Sequence, residues 1–211
     1  MFVVAEWDSV QAENSVFQRS LRNLDAKMIA KCSSDWAPKS FNYAKPLSPS
    51  DNNYGRTTIL PELLHDHHGV DMVHWRQFFT AADIVATNQL TIISGNGAGH
   101  TIPEDFKIAW AGLAFPNKQQ HITEIKWQIG DRKYGRQNIE EIKSYNKPCL
   151  IFEEGFILDE EESFELYAYL EGPIANQPPF IAGIYQRVVM LGAAYFKVIS
   201  KVLGNCGAVI L

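Results

Sequence analysis

The feature that most constrains this chain is the pattern of residues 84–199. Short apolar runs, roughly seven to nine of them, are separated by turn residues throughout this span. In "HITEIKWQIG" the residues Ile125, Trp127 and Ile129 alternate with polar neighbours, which predicts a strand with one buried face. No apolar helix of the length that joins parallel strands separates these runs. The pattern therefore predicts a mainly β fold, an antiparallel β-sandwich, jelly roll or barrel.

Glycines interrupt several of the predicted strands. In "FKIAWAGLAF" the residues Phe106, Ile108 and Trp110 point one way, and Gly112 then predicts a bend or bulge. Gly155 predicts a similar break in "KPCLIFEEGFIL". The long run "FIAGIYQRVVMLGAAYFKVIS" predicts two strands bent at Gly183 or Gly192. Residues 137–146 have room for one or two helical turns.

The only long helix is expected at residues 9–31, with Ser9 as its N-cap. Its apolar residues fall three, four and seven positions apart and form a stripe along one face. The members of the stripe are Val10, Phe17, Leu21, Leu24, Met28 and Ile29. The sequence leaves open whether this helix packs on the chain's own core or is an arm that docks on a neighbouring subunit.

Residues 33–58 are rich in Ser, Pro and Asn, and three prolines exclude a long helix or a central strand. We expect an extended arm laid over a surface, since its aromatic residues are unusual for a linker. These residues are Trp36, Phe41, Tyr43 and Tyr54. After the arm, Pro61 starts a short helix and a second is expected from Met72 to Phe79. The predicted organisation is an N-terminal part, residues 1–83, and a β-sandwich domain, residues 84–211.

The glycine-rich stretch "GNGAGHT" does not match a phosphate-binding loop. A P-loop requires a Lys after its last glycine, and a dinucleotide fingerprint leads into a helix. Here Gly95, Gly97 and Gly99 are followed by Pro103 and an alternating strand. A flexible connection is the better interpretation.

A histidine cluster, "HDHHGVDMVHW", is the one group with metal-ligand character. His65 and His67 form an H-x-H pair, and Asp71 and His74 are possible further ligands. Cupin enzymes carry such a pair followed by Glu, but that Glu and the second cupin motif are absent. We therefore expect no metal and no other cofactor, and a polar, solvated helix end at this place.

Other catalytic patterns are missing from the sequence. There is no G-x-S-x-G elbow, and three cysteines without CxxC spacing predict buried free thiols. The acidic run "FEEGFILDEEESFE" is interpreted as a solvated edge. We expect the protein not to be an enzyme.

Charge argues against some partners and suggests others. The net charge of −5 and the lack of Lys/Arg-rich runs argue against direct sequence-specific nucleic-acid binding. Most charged residues of 107–147 are basic, whereas residues 148–186 contain acids but no Lys or Arg. Such a separation of charge would suit head-to-tail association. No signal peptide is recognised. The sequence leaves open whether the apolar end "GAVIL" contacts a membrane.

Taken together, the strand pattern of residues 84–199, with "PEDFKIAWAGLAFP" and "YQRVVMLGAAYFKV", resembles small single jelly-roll capsid proteins of icosahedral viruses. The resemblance implies a non-enzymatic building block that self-assembles into an oligomer or lattice, with other virion proteins as possible partners. The expected location is the virion, or otherwise the cytoplasm. The expected interface residues are Phe17, Leu21, Leu24, Met28, Trp36, Phe41, Tyr43 and Tyr54. Segments 1–58 and 204–211 are expected to provide most of the intersubunit contact.

Two other functions stay open at this point. One is a cupin-like metal-dependent enzyme that uses the histidine cluster. The other is a carbohydrate-binding sandwich with Trp110, Trp127, Tyr167 or Tyr169 as stacking platforms.

Overall fold

The computed structural model describes residues 2–5, 12, 15–36, 54–80, 82–83, 89–170 and 183–197. Two α-helices are described, α1 (Val16–Asp35) and α2 (Ile139–Ser144), and a 3-10 turn spans Pro61–Leu63. The strands before residue 84 are β1 (Phe2–Ala5), β2 (Tyr54–Thr58), β3 (Leu64–Asp66) and β4 (Arg76–Phe79). Those after it are β5 (Gln89–Gly95), β6 (Phe106–Ala114), β7 (Ile122–Ile129), β8 (Arg132–Lys133), β9 (Gln137–Asn138), β10 (Cys149–Leu158), β11 (Phe164–Leu170), β12 (Ile184–Arg187) and β13 (Val189–Lys197).

The strands form two main antiparallel sheets and a two-stranded ribbon. The first sheet has the order β1-β10-β6-β13-β2, and the second has the order β3-β5-β11-β7-β8, with β9 also on β7. The ribbon pairs β12 with β4. The prediction of a mainly β, antiparallel fold is confirmed, and nine strands lie in the described part of residues 84–199.

The two sheets pack face to face around one apolar core, and we call this pair of sheets the sandwich. Trp110 and Phe152 of the first sheet meet Trp127 and Phe164 of the second, with ring centroids 5.2–5.5 Å apart across the sheets. The alternation predicted for β6 and β7 is confirmed, because Ile108 and Trp110 lie in this core, as do Ile125, Trp127 and Ile129. Aromatic rings at such separations fill the space between the sheets.

The long helix begins and ends later than the sequence suggested. Ser15, not Ser9, is its N-cap, and the Ser15 hydroxyl accepts a hydrogen bond from the Gln18 N–H at 3.1 Å. The buried stripe is Leu24, Met28 and Cys32, one position every four residues, whereas Ile29 is 45% exposed. Ser9 and Val10 lie outside the described residues. The stripe shifts because the face is chosen by the sheet beneath it rather than by apolarity alone.

Several predictions for the first 83 residues are wrong. Residues 33–35 continue α1, and Tyr54–Thr58 is a strand of the first sheet, so the described ends of the expected arm are regular structure. The second short helix is instead the strand β4, which pairs with a partner more than a hundred positions away along the chain. The 3-10 turn at Pro61 confirms only the first helix start. Since β2 pairs with β13 and β3 with β5, the two sides of position 83 share one sandwich.

Gly155 and Gly192 lie at β-bulges within continuous strands, whereas the two strands predicted for the last run, β12 and β13, separate at Val188. The register of β10 on β6 shifts between Ile151 and Phe156, and that of β13 on β6 shifts at Gly192. Gly155 has φ +66°, and a Cβ there would lie 2.3 Å from the Leu24 side chain. This glycine therefore both forms the bulge and lets α1 approach the sheet.

Candidate functional site

The outer face of the first sheet is a shallow apolar bed that receives α1. Ala109, Ala111 and Ala193 line it, and Leu24 and Met28 of the helix pack on them. Small side chains on adjacent strands keep the bed flat, so the helix side chains fill the space instead. Tyr195 closes one side of the bed, and its hydroxyl donates to Asp25, which also pairs with Arg56 at 2.9 Å.

A charged cluster anchors the C-terminal end of α1; it consists of Lys31, Asp35, Lys107, Asp159 and Glu160. The Lys107 side chain is only 1% exposed, and its ammonium contacts Asp35 at 3.0 Å and Glu160 at 3.3 Å, besides a closer contact to Asp159. Lys31 pairs with Asp159 at 2.7 Å. A buried ammonium surrounded by three carboxylates is compensated, which is the condition under which a buried charge is tolerated.

The aromatic neighbour of the charged cluster is Trp36. Its indole N–H is 3.2 Å from the Glu160 carboxylate, and the Lys107 nitrogen is 5.1 Å from its ring centroid. Burial opposes the charge on Lys107, but hydrogen bonds to Asp159 and Asp35 outweigh burial and raise the pKa of the ammonium. Burial likewise opposes the charge on Asp159, yet Lys107 and Lys31 lower the pKa of that carboxyl overall. Lys107 and Asp159 therefore stay ionised near neutral pH, and their contact acts as an electrostatic anchor.

The expected interface residues face the chain's own sheet. Leu24, Met28 and Trp36 are buried there, and Phe17, Leu21 and Tyr54 are partly buried against the same cluster. Within the chain these side chains pack with the alanine bed that α1 covers, and their role between subunits stays a prediction. Phe41 and Tyr43 lie outside the described residues, as does segment 204–211.

The histidine cluster is divided among separate contacts. The His65 Nε2 atom is 2.9 Å from Asp71, whereas the buried His67 lies 3.6 Å from Asp83 and 5.1 Å, between ring centroids, from Phe79. His74 is exposed, and the segment is a strand and turn rather than a helix end. Within the described residues, no group of three or more His, Cys, Asp or Glu is arranged to hold a metal.

Burial gives His67 an unusual environment. Its two ring nitrogens make no hydrogen bond within the described structure, and the His68 ring centroid is 3.6 Å away. Burial first, and the neighbouring His68 second, lower the pKa of His67. A neutral imidazole is thereby favoured at this position.

The glycine-rich stretch is a hydrogen-bonded turn. The Gly97 N–H donates to the Thr101 carbonyl at 2.7 Å, and a Cβ at Gly95 would lie 2.2 Å from that carbonyl oxygen. His100 Nδ1 is 2.9 Å from the hydroxyl of Ser94, which is buried. Within the described residues no carboxylate contacts the His100 imidazole, so this contact on a buried hydroxyl does not have the arrangement of a catalytic triad there. It fastens the turn to β5.

The outer face of the second sheet is polar, and no described element packs over it. Lys126 lies 5.4 Å from the ring centroid of Tyr167, and Arg136 lies 3.9 Å from that of Tyr169 while pairing with Glu124 at 3.1 Å. Both tyrosines are less than a tenth exposed. Since Trp110 and Trp127 lie inside the sandwich, none of the four proposed carbohydrate platforms presents an open ring face.

A groove of about 610 Å³ opens where α1 meets the turn between β7 and β8. Phe156 and Tyr134 lie on its floor, and its rim contains both cations and carboxylates. These rim residues are Lys27, Asp131, Arg132, Glu154 and Glu162. Because the signs are mixed, the groove does not concentrate one charge in the way that clefts steering ionic substrates do.

The charged cluster was not predicted from the sequence, but the prediction of buried free thiols is confirmed for Cys32 and Cys149. Asp159 and Glu160 belong to the acidic run interpreted as a solvated edge, yet they bind Lys107, 52 and 53 positions away. A lone Lys within an apolar strand was the available signal. Cys32 and Cys149 are buried free thiols, and burial raises the pKa of each to about 11. Cys206 lies outside the described residues.

Comparisons with known proteins add no family to these observations. Neither α1 nor α2, the α-helices in the described parts of the chain, combines the length and apolarity that a membrane crossing requires. A scan against protein-family models found no match, and searches of curated proteins and of solved structures found no similar chain either.

Proposed function

We propose that the protein is a non-enzymatic structural building block of the jelly-roll capsid type, which self-assembles into an oligomer or lattice. The observation that carries the proposal is the nested pairing of eight of the strands, with β1, β3, β4, β9 and β12 as additions to the pattern. A jelly roll arises when a long antiparallel hairpin rolls up, so that strand one pairs with eight, two with seven, three with six and four with five. Here β2 pairs with β13, β5 with β11, β6 with β10, and β7 with β8.

The filled interior supports a scaffold rather than a cupin-like enzyme. A cupin needs an open centre lined with metal ligands, whereas five aromatic rings occupy this one. They are Trp110, Trp127, Phe152, Phe156 and Phe164. A rigid, solid sandwich fixes the spacing between its exposed surfaces, which is the mechanical property that a repeating unit requires.

The outer face of the second sheet is the surface that we assign to assembly. The other broad face is occupied by α1, and this one presents Glu124 and Arg136 together with Lys126 and Glu165. A face with both signs of charge can meet a copy of itself with opposite charges opposed.

Sedimentation of the full chain over a wide concentration range tests the proposal. We expect species well above the 23.8 kDa chain that grow with concentration. A monomer at the highest concentration would exclude the building-block function.

A matched pair of variants tests the assigned surface. Arg136→Glu and Lys197→Glu each turn one exposed ion pair, with Glu124 and Asp105 respectively, into a like-charge pair. Only Arg136 lies on the second sheet's outer face, so only its variant should shift the assembly toward smaller species. Equal effects would exclude this face while leaving assembly itself intact.

A further inference from the structure

The two-stranded ribbon of β4 and β12 has one buried and one outward face. The buried face consists of Phe79, Ile184, Gln77 and Gln186. The outward face, which we call the ribbon face, consists of Arg76, Phe78, Tyr185 and Arg187. Cross-strand register places Arg76 directly opposite Arg187, and Phe78 directly opposite Tyr185.

The two arginines of the ribbon face repel each other, which destabilises the pairing of β4 with β12. Like charges directly opposite each other on a sheet are destabilising, and neither Arg76 nor Arg187 has a carboxylate partner within the described residues. The carboxylates nearest to Arg76 along the chain are already engaged, Asp71 by His65 and Asp83 by Thr80.

A third cation lies beside this ribbon. The Arg187 N–H donates to the Asn117 side chain at 2.7 Å, and Asn117 donates in turn to the Tyr185 carbonyl at 3.4 Å. These bonds hold the loop that carries the exposed Lys118 next to β12. Three cations without carboxylate partners thus gather at one place on a chain whose net charge is −5.

One ring of the aromatic pair on the ribbon face, that of Tyr185, is open to solvent. Tyr185 is 54% exposed, its ring centroid is 4.7 Å from that of Phe78, and the Arg76 guanidinium lies 4.6 Å from its ring centroid. Arg136 lies over Tyr169 in a similar way on the second sheet, but that arginine is ion-paired and that ring is covered. The ribbon face therefore offers a cationic aromatic surface that a ligand can reach, unlike the outer face of the second sheet.

We propose that the ribbon face binds single-stranded nucleic acid without sequence preference. Phosphates would contact Arg76, Arg187 and Lys118, and an unstacked base would lie on Tyr185. Unpartnered cations select a polyanion, and an exposed ring beside them adds stacking that every base provides. The inference goes beyond assembly, and either proposal can fail without the other.

Fluorescence anisotropy with a labelled oligodeoxythymidylate of about 15 nucleotides tests the inference. The full-length protein should bind saturably and more weakly as salt rises. Arg76→Gln combined with Arg187→Gln should lower the slope of log affinity against log salt by about 1.4. Tyr185→Ala should weaken binding by about 5- to 150-fold, whereas Tyr185→Phe should retain it.

The matched control is Arg56→Gln combined with Lys197→Gln, which removes two exposed cations that already have carboxylate partners, Asp25 and Asp105. It should leave the affinity within about twofold of the wild type. A control that weakens binding as much as the arginine pair, or a wild-type protein that does not bind at low salt, would overturn the inference. Competition by polyglutamate or by anionic vesicles as strong as by unlabelled oligonucleotide would overturn nucleic acid as the occupant. The arginine pair, exposed in both members, tests the face even if Tyr185→Ala disturbs folding.

Discussion

The outer faces of the two sheets differ in what covers them. The first sheet presents alanines, and α1 lies on them, so this face is part of the core. The second sheet presents charged residues and tyrosines, and the side chains cover one another instead of receiving a helix. An antiparallel sheet tolerates either arrangement, since each strand places alternate residues on opposite faces.

The difference shows how side-chain size on one face decides the layer structure. Ala109 pairs with Ala193 across β6 and β13, which leaves room for a helix to approach. On the second sheet, Tyr167 stands opposite Lys126, and Tyr169 stands opposite Glu124. Long side chains there satisfy one another laterally, and a helix would have to displace them.

The largest expected effect comes from the helix side of the comparison. Leu24→Ala should lower the free energy of unfolding by about 2–5 kcal/mol, because it leaves a cavity between α1 and the bed. Lys126→Ala on the second sheet should cost less than about 1 kcal/mol. Urea unfolding measures both. Similar losses would mean that α1 is not docked on the first sheet.

The next-largest effect is a difference in stability between replacing the buried Lys107 and replacing the exposed Arg136. Lys107→Met should cost about 2–4 kcal/mol, since it removes the buried cation that contacts three carboxylates and leaves only Lys31 beside Asp35 and Asp159, although these carboxylates are about a third exposed. Arg136→Met, from a side chain that is 57% exposed, should cost about 0–1 kcal/mol. A neutral outcome for Lys107→Met would show that the charged cluster does not anchor the helix.

Acid should loosen the helix side in a defined window. The pKa of Asp159 is lowered in the folded state, so its stabilisation is present above the ordinary value of 3.8 and is lost as pH falls through the lower folded value. Lys107 and Lys31, whose pKa values are raised, stay charged throughout this range. Unfolding free energies at decreasing pH should fall more steeply for the wild type than for Lys107→Met. Parallel curves would contradict this assignment.

The smallest expected effect concerns His67, in the turn that follows β3 at the edge of the second sheet. The pKa of His67 is lowered by burial, so its folded site disfavours the imidazolium, and stability should fall as pH drops below the ordinary value of 6.5. His67→Gln should remove this slope while leaving the acid loss due to Asp159 in place. Hydrogen exchange of residues 64–71 at pH values on either side of 6.5 should report it. An unchanged slope in the variant would assign the loss to other groups.

Local patterns predicted much of the sandwich. Alternation identified β6 and β7, glycines marked the bulges of β10 and β13, and Pro61 marked a helical turn. These features depend on periodicity or on the backbone of single residues, so neighbours in sequence are sufficient to reveal them. The same reasoning was wrong where the partner is distant, as in β4, whose strand conformation comes from pairing with β12.

By itself, the sequence determined that this chain is mainly β, that its strands are antiparallel and that Cys32 and Cys149 are buried. Only the tertiary structure decided which face of α1 is buried, where the helix ends, and that Lys107 meets Asp35, Asp159 and Glu160. It also brought Arg76 opposite Arg187 and left both without carboxylate partners in the described chain. The physical reason is that alternation and turn chemistry are local properties, whereas the burial of a charge depends on groups that only the packing of distant strands brings together.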